Sequence, residues 1–311
     1  VDRMSMKKLL SLLFGAVFLF SSMGTAMASV PNTAEAKLAA VEKSMYGVEQ
    51  TGALLDRINH LEKDYEGAHS KSGMMDRIDH LYNVVFDNSA QPSLLTQMNA
   101  IEWSITHQVS MDSVQSRVTA METTIEGKPT EGTYKARIDK LASFAFGTKV
   151  IPLTQVTVSA NTLAKISLVT PVNAKNLKVG DTVKYQAAED VIENGMLIFA
   201  KGAPGEGTVK KVTQARNFGR DAEVQIDFKT LRAIDGTDMD MFLGEESKKE
   251  MKTMAMAAGA SIAGMVLLGP VGIITGVFVH GNNIDLPVGT ELYVQTKADT
   301  IVYAIPTTSA K

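Results

Sequence analysis

The sequence predicts an α+β protein: an N-terminal array of short helices on a 20-residue repeat, then an antiparallel β-barrel or sandwich with a helical apolar insertion. Three observations predict it. Between residues 34 and 147 apolar positions recur at an offset of 20, with helical spacing inside each unit. After Thr148 short β-branched runs separated by turn residues take over. Within that second half, Met254–Val279 carries no charge.

The first segment reads as a secretory signal peptide, residues 1–28. Lys7 and Lys8 form a positive region, Leu9–Phe20 an apolar run, and Ala26-Met27-Ala28 a small-residue cleavage site before Ser29. The apolar run is shorter than the ~20 residues a membrane-spanning helix needs. The expectation is export to the periplasm or outer membrane. With no cysteine in the chain, there is no residue to lipidate, no disulfide and no thiol nucleophile. A net charge of −3 with mixed signs gives no electrostatic case for nucleic acid.

The repeat region follows, residues 34–147. Leu54-Leu-Asp-Arg-Ile-Asn-His-Leu-Glu62 and Met74-Met-Asp-Arg-Ile-Asp-His-Leu-Tyr82 are the clearest copies. One apolar column holds Ile58, Ile78, Met98, Val118 and Ile138; another holds Leu61, Leu81, Ile101, Met121 and Leu141. Gly47, Gly67, Gly127 and Gly147 mark unit ends, with Asp87 and His107 as exceptions. Apolar residues at i, i+4, i+7 and i+11 define one helix face, and glycine with a polar stretch ends each helix. An unbroken helix would turn successive stripes to opposite sides, because 20 residues advance the face by roughly 200° beyond whole turns. The expectation is helices of about 13 residues with loops of about 6, stacked as antiparallel neighbours into a cooperative array. The alternative is one long coiled coil that trimerises, since 20 is close to three heptads.

Arg57, Arg77, Arg117 and Arg137 line a repeat face, with Gln97 as the exception. Arg57 and Arg77, beside Asp56 and Asp76, read as helix-face ion pairs worth a few tenths of a kcal/mol, or as a stripe for peptidoglycan or a partner. His60 and His80 read as solvated or flank-packed residues, and Trp103 as packing.

In the second half, residues 148–311, strands are expected at Gln155–Val158, Leu163–Val169, Thr182–Ala187, Met196–Ala200, Thr208–Val212 and Glu223–Phe228, with two closing strands near Glu291–Thr296 and Thr300–Ile305. Asn194-Gly195 and Asp235-Gly236 are hairpin signals, Lys178-Val-Gly-Asp181 is a turn and Lys201–Gly207 is a loop. The charge-free run Met254–Val279, about 26 residues, would span about 39 Å as one helix at 1.5 Å per residue, enough for a bilayer core. Gly269-Pro270 breaks such a helix. Its small residues, Ala255, Gly259, Ala263, Gly264, Gly272 and Gly276, suit close backbone packing of the glycine-zipper kind. Three readings stand: a helical hairpin on the β-domain, an oligomeric insertion into the outer membrane, and a simple transmembrane helix.

Two resemblances rest on these residues. The Arg-Ile-x-x-Leu-Glu units with terminal glycine resemble short repeats of exported bacterial envelope proteins, which implies no activity. Phe199-Ala-Lys-Gly-Ala203, Gly207-Thr-Val209, the strand Arg220–Phe228, Ile234-Asp-Gly236 and the late insertion together resemble the β-barrel domain of type IV secretion outer-membrane-channel subunits. That resemblance implies a barrel whose insertion lines an outer-membrane pore. The family's inner-membrane anchor and proline-rich linker do not show in the sequence, so a related barrel is expected rather than a complete secretion channel.

No Gly-x-Ser-x-Gly, phosphate-binding loop or His-Glu-x-x-His occurs, and Asp238-Met-Asp240 with Glu245-Glu246 are carboxylates ordinary at hairpin ends. The expectation is no enzyme, no cofactor and no metal. The functional expectation is a structural or interaction protein of the envelope, binding its own copies or an envelope partner through the repeats. The alternative is an outer-membrane pore or secretion-complex subunit inserting residues 254–279.

Overall fold

The computed structural model describes residues 31–214, 222–257, 266–267, 277–281 and 285–307. The expected signal peptide lies outside them. Six helices of 13 residues make the first half: α1 (Ala34–Tyr46), α2 (Leu54–Glu66), α3 (Met74–Phe86), α4 (Leu94–Thr106), α5 (Val114–Glu126) and α6 (Tyr134–Phe146). Hydroxyls of Thr33, Ser93, Ser113 and Thr133 cap four of the N-termini, each accepting a backbone N–H that the first turn leaves free. Gly47, Gly67, Gly127 and Gly147 end their helices with φ between 73° and 87°. That left-handed conformation turns the chain out of the helix and suits glycine best. His107 adopts it too, at φ 54°, whereas Asp87 ends α3 in extended backbone. A single long coiled coil is therefore ruled out.

Both apolar columns are buried in one core, from Leu38 and Val41 in α1 to Ile138 and Leu141 in α6. The helices are not a simple linear array. α1, α2 and α3 pack as a trio, α4, α5 and α6 pack as a second, and the trios join through α1–α5, α2–α6 and α3–α4. In a linear array each unit meets only its sequence neighbours and leaves a face open. Folding back on itself closes the apolar stripe into a bundle.

Fourteen strands follow among the described residues: β1 (Thr154–Val158), β2 (Leu163–Leu168), β3 (Val172–Asn173), β4 (Thr182–Ala187), β5 (Val191–Glu193), β6 (Met196–Phe199), β7 (Pro204–Thr213), β8 (Ala222–Arg232), β9 (Asp238–Phe242), β10 (Val266–Leu267), β11 (Val277–Gly281), β12 (Asp285–Leu286), β13 (Glu291–Thr296) and β14 (Thr300–Pro306). One helix, α7 (Glu245–Ala257), interrupts them. β7, β4, β2, β13, β9 and β8 pair in that order, and β8 pairs back to β7. Six antiparallel strands thus close a barrel, which settles barrel against sandwich. Its inward residues alternate with outward ones: Ala222, Val224, Ile226 and Phe228 on β8 are all buried. β1, β14, β6 and β5 form a second sheet, and β3 pairs with β12.

Two expectations need correction. The Lys201–Gly207 loop is shorter than expected, because β7 begins at Pro204 and pairs with Gln186 of β4. Its glycine is required by packing: a Cβ on Gly205 would lie 2.3 Å from Tyr185 Cε2. The Tyr185 ring, fully buried, lies over that backbone and donates its hydroxyl to the Thr230 carbonyl at 2.8 Å. Among the described residues, the apolar insertion is helical up to Ala257 and extended where it reappears. Val266–Leu267 pairs with β11, and β11 pairs with residues 222–226 of β8. β9 reaches only residues 230–232 of β8, so the other half of that strand needs backbone partners. The β-branched Val277 and Val279 suit the strand that supplies them.

Candidate interaction surfaces

The four repeat-face arginines are not on a surface. Arg57, Arg77 and Arg117 are buried and Arg137 is largely so, and each clamps a glutamate 15 residues upstream, on the preceding helix. Arg57 Nε and Nη2 donate to Glu42 Oε1 and Oε2 at 2.8 and 2.6 Å. Arg77 grips Glu62 at 2.9 and 2.6 Å, and Arg137 grips Glu122 at 3.0 and 2.7 Å. Arg117 Nε and Nη2 both reach Glu102 Oε2, at 2.8 and 2.7 Å. The same carboxylates accept loop N–H groups from Gln50, Ser70, Ser110 and Thr130 at 2.9 to 3.0 Å. One glutamate thus ties a helix, the loop after it and the next helix together. The expected pairing with Asp56 and Asp76 is corrected: residues one apart on a helix do not face each other. A stripe open to peptidoglycan or a partner is corrected as well, because the guanidiniums are consumed inside the bundle.

The clamps stop where the sequence changes. At the α3–α4 junction Tyr82 stands where the glutamate would be and Gln97 where the arginine would be. Both partners are replaced together, since a lone buried charge costs several kcal/mol. At the ends, Lys37 replaces the first arginine and bonds Asp79 at 2.6 Å, while Ala142 replaces the last glutamate. Neither terminal unit is left with half a clamp.

Burial works against ionisation at Glu122, yet the hydrogen bonds from Arg137 and Thr130 prevail and hold its carboxyl at about 2, against an ordinary 4.5. Glu62 is lowered in the same balance by Arg77 and Ser70. A carboxylate depressed in the folded state stabilises above its unfolded value, and the stabilisation disappears as pH falls through the folded value. The helical signal at 222 nm is expected to lose urea resistance between about pH 4.5 and pH 2, by up to about 3 kcal/mol for Glu122 alone. A flat urea midpoint across that window would contradict the clamp.

α4, which has Gln97 in place of the clamp arginine, is also the helix that docks on the barrel. Trp103 is buried with Ala100 against Leu197, Ala200, Ile234 and Ile305. Its Nε1 donates to Asp190 Oδ2 at 3.1 Å. Asn99 donates to the Ile234 carbonyl at 2.8 Å, and Asn88 and Thr96 donate to the Asp235 carbonyl at 2.9 and 2.8 Å. The Asp235 carboxylate in turn accepts N–H groups from Thr237 and Tyr303, each at 2.9 Å. Burial outweighs those bonds and raises its pKa. Sequence reasoning took Trp103 as packing without seeing what it packed on. The available signal was its column: the equivalent residues are Lys43, Lys63, Asn83, Thr123 and Ser143, so the one tryptophan marks the repeat whose helix supplies the buried seam contact.

Register defines the two ends of the barrel. β4 and β13 both run antiparallel to β2, so both start at the same end. β7 finishes and β8 begins at that end. The bundle docks at the other end, on the β8–β9 turn at Ile234–Asp235 and on Ala200 before β7. The described feet of the apolar insertion belong to the opposite end, the one free of the bundle, and to the adjoining wall. β11 ends at Gly281 opposite Ala222. α7 lies along β13, where the Gln295 Oε1 accepts the Ser247 N–H and hydroxyl at 3.1 Å and Met251 is fully buried. Ala255 falls in α7, whereas Gly259, Ala263, Gly264, Gly269, Pro270, Gly272 and Gly276 lie outside the described residues.

No helix among the described residues is long and apolar enough to cross a membrane, and no group of three or more metal-ligating side chains is found among them. His60 is flank-packed on the Tyr46 ring, with centroids 5.7 Å apart. The two best-formed cavities among the described residues measure about 100 and 20 Å³, below the several hundred Å³ typical of ligand pockets. The features that stand out are surfaces: the domain seam and the free barrel end.

The class these features define is an α+β protein with a helical-repeat bundle mounted on one end of a six-stranded antiparallel barrel. The solved structure of ComB10 of the Com type IV secretion system of Helicobacter pylori is similar at 12% identity and a TM-score of 0.25, covering 46% of this chain and 88% of that one. No family model and no curated protein matches the chain.

Proposed function

We propose that the protein is a non-enzymatic structural and interaction protein of the bacterial cell envelope, exported by its N-terminal segment. The observation that carries this reading is the polarity of the molecule. One barrel end is occupied by the repeat bundle, through Trp103 and the Asp235 turn. The other end carries β11, which holds the last residues of the charge-free stretch Met254–Val279. The bundle then acts as a rigid spacer, and the free end meets an envelope partner or a second copy.

Fractionation tests this. The full chain is expected to sediment with the envelope and to be released by detergent. A variant with residues 258–276 replaced by a Gly-Ser linker is expected in the periplasmic extract. If the unaltered chain already appears in that extract as a free monomer, the reading is wrong. A second reading is an oligomeric outer-membrane pore or secretion-complex subunit that inserts residues 254–279. The length of the uncharged run favours it, because about 20 apolar residues suffice to span. Resistance to carbonate and a ring-sized oligomer in detergent are the outcomes it requires.

A further inference from the structure

We propose that the free end of the barrel docks on a lipid bilayer through two valine-tipped turns, Lys178–Asp181 and Pro287–Thr290. The proposal rests on the reading that envelope contact is made at this end. The two turns share one construction. Each follows a leucine directed into the barrel core, Leu177 and Leu286. Each places valine second and glycine third, with φ 96° at Gly180 and 87° at Gly289, the positive value a type II turn demands there. In each, the fourth residue's N–H donates to the first residue's carbonyl at 3.1 Å. The glycine N–H then donates to a neighbouring strand: Gly180 to the Val209 carbonyl at 2.9 Å, Gly289 to the Leu168 carbonyl at 2.8 Å.

Both tips are therefore pinned to the barrel wall. Val179 and Val288 are nonetheless 66% and 61% exposed. The turns open into β4 and β13, which flank β2 on either side, so the tips stand about 10 Å apart, two strand spacings.

The geometry selects a bilayer over a protein groove or an added strand. The valines at the tips are exposed, and the turn and glycine N–H groups are already bonded, so the tips offer apolar side chains rather than pairing edges. They share their end with the place where the charge-free run of about 26 residues rejoins the barrel. Among the described residues at the two turns, exposed Lys175 and Lys178 are balanced by Asp181 and Asp285, so the turns themselves offer apolar contact with the interfacial zone rather than net charge for headgroups.

The test is flotation of the full mature chain with vesicles of phosphatidylcholine, and separately of phosphatidylethanolamine with phosphatidylglycerol. Binding to both is expected. The double variant Val179→Asp/Val288→Asp is expected to bind at least tenfold more weakly, with an unchanged unfolding midpoint. Val150→Asp, at a valine 77% exposed in the segment between bundle and barrel, is expected to bind as the parent does. Equal binding by the double variant overturns the proposal, as does an equal loss in Val150→Asp. A parent chain that sediments with the envelope but never floats with lipid overturns it too, while leaving the envelope reading intact and pointing to a protein partner.

Discussion

Glu122→Ala is expected to cost the helical bundle about 3–5 kcal/mol, because it strands a buried guanidinium. Arg137 is 12% exposed at its side chain and Glu122 only 2%. With the carboxylate gone, Arg137 and the Thr130 N–H both lose their acceptor. Arg137→Ala should cost a comparable amount by stranding Glu122. The informative variant is Glu122→Leu/Arg137→Leu, which removes both charges and is expected to be less destabilised than either alanine substitution. Lys140→Ala breaks an exposed pair with Glu126 and should stay within about 0.5 kcal/mol of the parent. Urea unfolding followed at 222 nm measures all four. A loss under 1 kcal/mol in Glu122→Ala would show that the clamp contributes no more than a surface pair.

Trp103→Ala is expected to undock bundle from barrel, at a cost of about 3–5 kcal/mol for a buried tryptophan removed to a cavity. The parent should unfold in one transition, the variant in two, with new protease cleavage between residues 147 and 153. Trp103 is the only tryptophan, so in the parent its emission reports undocking directly. Trp103→Phe keeps the apolar contact and loses only the bond to Asp190, and is expected to retain the single transition. Two transitions in the parent itself would mean that the seam does not couple the domains.

Local order was legible in the sequence because its causes are local. The 20-residue period, the apolar columns and the glycine stops placed six helices, and alternation with Asn194-Gly195 and Asp235-Gly236 placed most strands. The arginine partners were missed for a geometric reason. Asp56 is adjacent in sequence but points elsewhere, while Glu42 lies across a loop and is brought near only when two helices pack. The joint replacement of glutamate by Tyr82 and arginine by Gln97 was a visible trace of that pairing. The free-end turns were half visible: Lys178-Val-Gly-Asp181 read as a turn, but its likeness to Pro287-Val-Gly-Thr290 matters only once both stand at one barrel end.

By itself the sequence determined which residues are helical, where each unit stops, and which half is β. Each of those depends on backbone preference and on the spacing of apolar side chains within one element. Only the tertiary structure decided that the repeats close into two trios rather than a line, and that the strands close into a barrel. It alone turned part of the apolar insertion from helix to strand at β11. In each case the deciding term is a partner far away in the chain: an apolar stripe takes whichever face covers it, and the unpaired half of β8 takes the strand that completes its hydrogen bonds.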